Sequence, residues 1–145
     1  EAVKQKNMWI VGTFTILYHP EGIEKTDFTV PSIKEKVLRG RKVVAENFAQ
    51  ILSSGANVAL GTDSLHGMIS YEMECLVRFG SSNLRALQAA TRDAARVCRV
   101  EDRLGTLEPG KLADFVALAA DPLEDIRNTQ RVAAVYKEGK RVMLP

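Results

Sequence analysis

Met8-Trp9-Ile10-Val11-Gly12-Thr13-Phe14-Thr15-Ile16-Leu17 is almost continuously apolar and rich in β-branched and aromatic residues. A run this short and this uniformly apolar suits a strand covered on both faces, as in a parallel sheet. Tyr18-His19-Pro20-Glu21-Gly22 then punctuates the chain, and polar sequence continues to about Val30. A connection of that length marks a functional rim.

A helix follows. Ser32 can cap its first amides while Glu35 reaches back three residues later, the capping-box arrangement. Val37, Arg41, Val44, Phe48, Ile51 and Leu52 recur at helical spacing, and Gly55 closes the segment after Ser53-Ser54. Asn57-Val58-Ala59-Leu60-Gly61 is a second short buried strand, so residues 8–61 read as strand, loop, helix, strand: a βαβ unit with its two strands parallel and adjacent. Two more helices are predicted, over 69–79 and 82–99, the second Ala-rich and capped by Ser82 or Asn83. Beyond Val100 the texture changes. Glu108-Pro109-Gly110 is a turn, residues 114–119 a strand, and 131–136 with 140–144 a hairpin around Glu138-Gly139.

Composition limits the functional classes. Apolar residues make up 46% and charged residues 26% of the 145 positions, the profile of a folded, water-soluble body. Twenty basic residues against eighteen acidic ones are spread along the chain, so nucleic acid is not an expected partner. Arg39-Gly40-Arg41-Lys42, the densest basic run, belongs to a solvated helix face. Apolar runs fall far short of the roughly 18 residues of a membrane-spanning helix, so no membrane partner is expected, and a cytoplasmic setting fits. Cys75 and Cys98 lie far apart inside helix-like stretches, which predicts two reduced, buried thiols rather than a disulfide or a Cys-based zinc site. The opening Glu1-Ala2-Val3-Lys4-Gln5-Lys6-Asn7 reads as the tail of a polar helix cut in mid-protein.

The strongest candidate site is Gly61-Thr62-Asp63-Ser64. A carboxylate at the carboxyl end of a buried parallel strand points into the crevice where α/β barrels keep their active sites. Spacing alone allows a blander reading with equal weight, in which Asp63 is a turn or helix cap.

Four segments together carry a family resemblance: Gly61-Thr62-Asp63-Ser64, Ala89-Ala90-Thr91-Arg92-Asp93-Ala94-Ala95-Arg96, the stretch Leu104 to Val116 containing Glu108-Pro109-Gly110-Lys111, and Asp121-Pro122-Leu123. In this order they resemble the amidohydrolase superfamily, in particular its imidazolonepropionase-like and prolidase-like members. The likeness spans roughly residues 8–143 but corresponds only to the final third of a family member. It implies the carboxyl-terminal part of a TIM-like (β/α)8 barrel, with residues 8–17 as strand seven, 57–61 as strand eight and the following helices, plus part of a small β-sandwich. The barrel portion would occupy residues 1–100 and the sandwich portion 101–145.

The same resemblance implies a metal-dependent hydrolase of carbon–nitrogen bonds other than ordinary peptide bonds, using one or two divalent ions, zinc first. Of the family's metal ligands only the strand-eight aspartate has a counterpart here, Asp63, which would serve as metal ligand and as proton shuttle. His66 in the same loop, and Tyr18 and His19 after strand seven, are candidate substrate contacts. A solvent-exposed loop histidine is the competing reading of His66. The implied partners are the amino-terminal remainder of the barrel, in the same protein or another chain, a small amide, cyclic amide or dipeptide-like substrate, and further copies in a homo-oligomer. Without that remainder the chain is expected to be inactive. The alternative from another class is a non-catalytic α/β assembly module in which Asp63 only caps a turn.

Overall fold

The computed structural model describes residues 5–23, 25, 31–63 and 67–143, the side chain of Ile33 excepted. Strand β1 (Trp9–Gly12) and strand β2 (Asn57–Leu60) pair in parallel, with Trp9 opposite Asn57 and Gly12 opposite Leu60. The Gly61 amide donates to the Gly12 carbonyl at 3.0 Å and extends the ladder by one step. The intervening helix α2 (Pro31–Ser53) makes the βαβ connection that the apolar pattern requires.

The first strand is shorter than the apolar run suggests. The amides of Leu17 and Tyr18 both donate to the Phe14 carbonyl, at 2.9 and 3.0 Å, and residues Thr15–Tyr18 coil into a single turn, α1. Apolar content does not separate strand from buried helical turn over so few residues. Local amide bonding decides it.

After β2 come α3 (Ile69–Arg78), α4 (Asn83–Ala90) and α5 (Arg92–Val97). The single helix expected over 82–99 is therefore broken, at Thr91, whose backbone leaves helical values (φ −122°, ψ −89°). Its hydroxyl donates to the Leu87 carbonyl at 2.7 Å, the local side-chain bond by which threonine competes with helix continuation. Cys98 follows α5 as its cap and is exposed, so the expectation of two buried thiols holds only for Cys75; both are free.

Three aromatic rings organise the core behind β1 and β2. Phe14 sits edge-on to Phe48 and to Phe79, with ring centroids 4.6 and 5.0 Å apart. Val58, Leu60, Met73, Cys75 and Leu76 surround them. Burying each large apolar side chain of this kind contributes about 1.5–3 kcal/mol.

The carboxyl-terminal segment forms a three-stranded antiparallel sheet, β3 (Phe115–Leu118), β4 (Val132–Lys137) and β5 (Lys140–Val142). Glu138 and Gly139 join the last two strands with φ of 51° and 76°. Two consecutive positive φ values are what a two-residue type I′ turn demands. Ile126, in the 3-10 turn Ile126–Gln130, enters the core that Leu76 and Phe14 occupy. Residues beyond 100 thus share a core with those before it, and Gln130 Nε2 donates to Glu74 Oε1 at 2.5 Å across the same contact.

Candidate functional site

Because β1 and β2 are parallel, their carboxyl ends open on the same side, bringing the Thr13–Thr15 segment beside the Gly61–Asp63 segment. Gly61 sits close to β1: a Cβ placed there would meet Val11 Cγ1 at 3.3 Å. Two residues on, Asp63 is exposed and takes a left-handed backbone conformation, φ 53°. Aspartate visits that region several-fold more often than most residues, and Asp63 stands three positions past the end of β2.

A second carboxylate lies behind the first. Glu72, in the opening turn of α3, is fully buried. Its oxygens accept the amides of Phe14 at 2.5 Å and Thr15 at 2.8 Å. The Thr15 hydroxyl lies against the same group, although without a well-formed hydrogen bond of its own. Burial pushes the Glu72 carboxyl above its usual range, the contacts with Thr15 and Phe14 work in the opposite direction, and the nearby charge of Asp63 adds to the rise. Sequence reasoning missed Glu72. The available signal was a charged residue three and four positions before Cys75 and Leu76, on the same buried helix face.

The remaining candidates have their polar groups in local contacts. Tyr18 donates its hydroxyl to the Arg41 carbonyl at 2.5 Å, and its own carbonyl accepts from the Tyr71 hydroxyl at 3.0 Å. Burial raises the Tyr18 phenol above its ordinary value. His19 Nδ1 accepts the Glu21 amide at 3.1 Å, while its ring stands edge-on to Tyr71 at 4.7 Å. His66 lies outside the described residues.

Among the described residues, no three His, Cys, Asp or Glu side chains converge to hold a metal ion. Asp63 offers one hard oxygen donor in an accessible position, suited to a divalent cation, whereas catalytic zinc takes about three protein ligands. These residues therefore match one corner of a metal centre and do not complete it.

At the opposite end of the strands, a groove of about 660 Å³ is bordered by Trp9 and Asn57 and by Arg85, Arg92 and Arg96. All three guanidiniums converge on buried Asp93: Arg85 directly, Arg92 Nε at 2.9 Å and Arg96 Nη1 at 3.3 Å. Arg85 also donates to the Val58 carbonyl at 3.1 Å, tying α4 to β2. This cluster fastens helices to the sheet.

Comparisons with known proteins give the family. The amidohydrolase family profile matches residues 2–142. The chain is 32% identical to an ochratoxinase of Aspergillus niger over 151 residues, 97% of this chain and 30% of that protein. It is 31% identical to an adenine deaminase of Clostridium perfringens, covering 92% of this chain and 25% of that protein. A solved Xaa-Pro dipeptidase with methionine bound in its active site superposes with a TM-score of 0.84 at 28% identity, over 97% of this chain and 36% of its own. The chain belongs to the amidohydrolase family, and it spans about a quarter to a third of the length of these relatives.

Proposed function

We propose that this chain supplies the last two strand–helix units of a metal-dependent (β/α)8 amidohydrolase, β1 and β2 being strands seven and eight, together with part of a small β-sandwich built on β3–β5. The observation that carries the reading is the exposed Asp63 carboxylate at the carboxyl end of a parallel strand, where barrels of this kind do their chemistry. Family membership supports it. Relatives named for deaminating adenine and for cleaving Xaa-Pro dipeptides both break carbon–nitrogen bonds, so the substrate class proposed is a small amide, cyclic amide or dipeptide-like molecule.

When bound, a divalent metal such as zinc polarises the substrate carbonyl and lowers the pKa of its water to about 7. Asp63 is the ligand this chain contributes. Its carboxylate takes the proton released from the attacking water and returns it to the departing nitrogen, acting first as base and then as acid. Tyr18, the last residue of α1, and His19 just after it are proposed as substrate contacts at the rim, as is His66, which lies outside the described residues.

The proposed partner is the remainder of the barrel. Val11 of β1 is half exposed on the face away from the core, an apolar position that further strands would cover. Self-association and a cytoplasmic setting belong to the same reading; among the described residues no helix is long and apolar enough to cross a membrane.

The test is Asp63→Asn in the complete protein. Asn keeps the size and removes the charge and basicity, so turnover should fall by about 10²–10⁴-fold with metal content measured alongside and stability unchanged. Near-normal turnover would remove Asp63 from the mechanism and leave it as a turn-forming residue.

A further inference from the structure

We infer that Glu72 is a positioning residue for the Asp63 site, acting through the backbone of the strand ends rather than on substrate. The inference rests on the functional reading just given.

Three observations carry it. Glu72 is a completely buried carboxylate whose two amide partners, Phe14 and Thr15, lie where the chain leaves β1 for α1. Its own helix, α3, begins six residues after Asp63, so Glu72 is attached at the far end of the very loop that carries the candidate carboxylate. Among the described residues the backbone ladder between β1 and β2 ends at the Gly61–Gly12 bond, before either loop begins. Glu72 therefore clamps the end of one loop to the exit of the neighbouring strand.

A purely apolar core residue would fill this space at lower cost, since an ionised carboxyl is expensive to bury. What a carboxylate adds is a fixed bidentate acceptor for two adjacent amides, a geometry that holds backbone in one place. The amides of Phe14 and Thr15 are the free donors at the start of α1, the kind of group an anion satisfies at a helix entrance. Gly12 is consistent with a tightly specified exit: a Cβ there would come within 2.5 Å of the Phe14 ring. Glu72 is sealed from solvent among the described residues, so its role is on the backbone it holds.

The experiment uses the complete protein and compares Glu72→Gln and Glu72→Asp with Ile126→Ala, a truncation in the same buried cluster that removes no hydrogen bond to Phe14 or Thr15. Gln keeps the volume but presents an amide N–H₂ to one of the two backbone donors. The shorter Asp keeps the charge and acceptor character. Misplacement of a catalytic group by about 1 Å costs on the order of 10²-fold in rate, so Glu72→Gln should lose about that factor in kcat with KM little changed. Glu72→Asp should recover part of the loss. Ile126→Ala should lower the melting temperature while leaving kcat and KM of the folded protein as they were.

Should Glu72→Gln fail to accumulate in folded form, Glu72→Asp carries the same comparison, with a smaller kcat loss and an unchanged KM expected. A Glu72 variant that melts earlier yet keeps kcat, as Ile126→Ala does, overturns the inference. The two readings fail separately: normal turnover in Asp63→Asn removes the site itself, whereas an inactive Asp63→Asn beside a kinetically normal Glu72→Gln removes only the positioning role.

Discussion

Replacing Gly105 by Ala tests how closely the turn after α5 is fitted to the helix break. Gly105 has φ of 92°, a region that L-residues enter only under strain. An added Cβ would lie 2.6 Å from the Ala95 Cβ, 3.1 Å from the Thr91 carbonyl oxygen and 3.2 Å from the Arg92 Cα. The backbone strain is about 1–2 kcal/mol, and overpacking against a helix that cannot yield adds about 1–3 kcal/mol. The sum is about 2–5 kcal/mol. For a chain near 150 residues each kcal/mol moves the melting temperature by about 3 °C, so a fall of about 6–15 °C is expected by calorimetry or circular dichroism. A double-mutant cycle separates the two contributions. In an Ala95→Gly background the nearest clash is gone while the positive φ remains, so the penalty of Gly105→Ala should shrink by at least about 1 kcal/mol. A penalty below about 1 kcal/mol in the native background, or strict additivity with Ala95→Gly, would refute the reasoning.

Further outcomes follow from the buried Asp93 carboxylate and the two thiols. Asp93→Asn leaves three guanidiniums around a neutral acceptor; because those arginines are a third to a half exposed, the cost should fall below that of a fully buried pair, at about 2 kcal/mol by urea denaturation. Burial alone would raise the Asp93 carboxyl, but hydrogen bonds from Arg92 and Arg85 outweigh it and hold it below its usual range. Its contribution is therefore complete above the unfolded value near about 3.9 and disappears as pH falls through the lower native value. The wild type should lose more stability than Asp93→Asn on acidification below about pH 4; parallel curves would count against the cluster. Native maleimide labelling should modify Cys98 first, whereas Cys75, buried with its thiol pushed up to about 12, should react only on unfolding. Simultaneous labelling would contradict the core assignment of Cys75.

Much of the scaffold was legible in the residue order because it depends on local periodicity. The apolar stripe from Val37 to Leu52 specifies a helix wherever it is placed, and two short apolar runs on either side of it leave parallel pairing as the arrangement that buries both. Glu138-Gly139 likewise announced the hairpin, whose type I′ turn takes two left-handed residues. Asp63 was legible through its position after such a run. The end of β1, the break at Thr91 and the exposure of Cys98 were not, since each depends on which groups meet from distant parts of the chain. Glu72 shows the reason most directly. In sequence it is one acidic residue in the first turn of an amphipathic helix, a common place for a solvated charge; only the fold brings it within hydrogen-bonding distance of amides 57 and 58 positions earlier. Periodicity selects the face a residue belongs to, but a buried polar group acquires its meaning from the partner that desolvates with it, and that partner is chosen by tertiary packing.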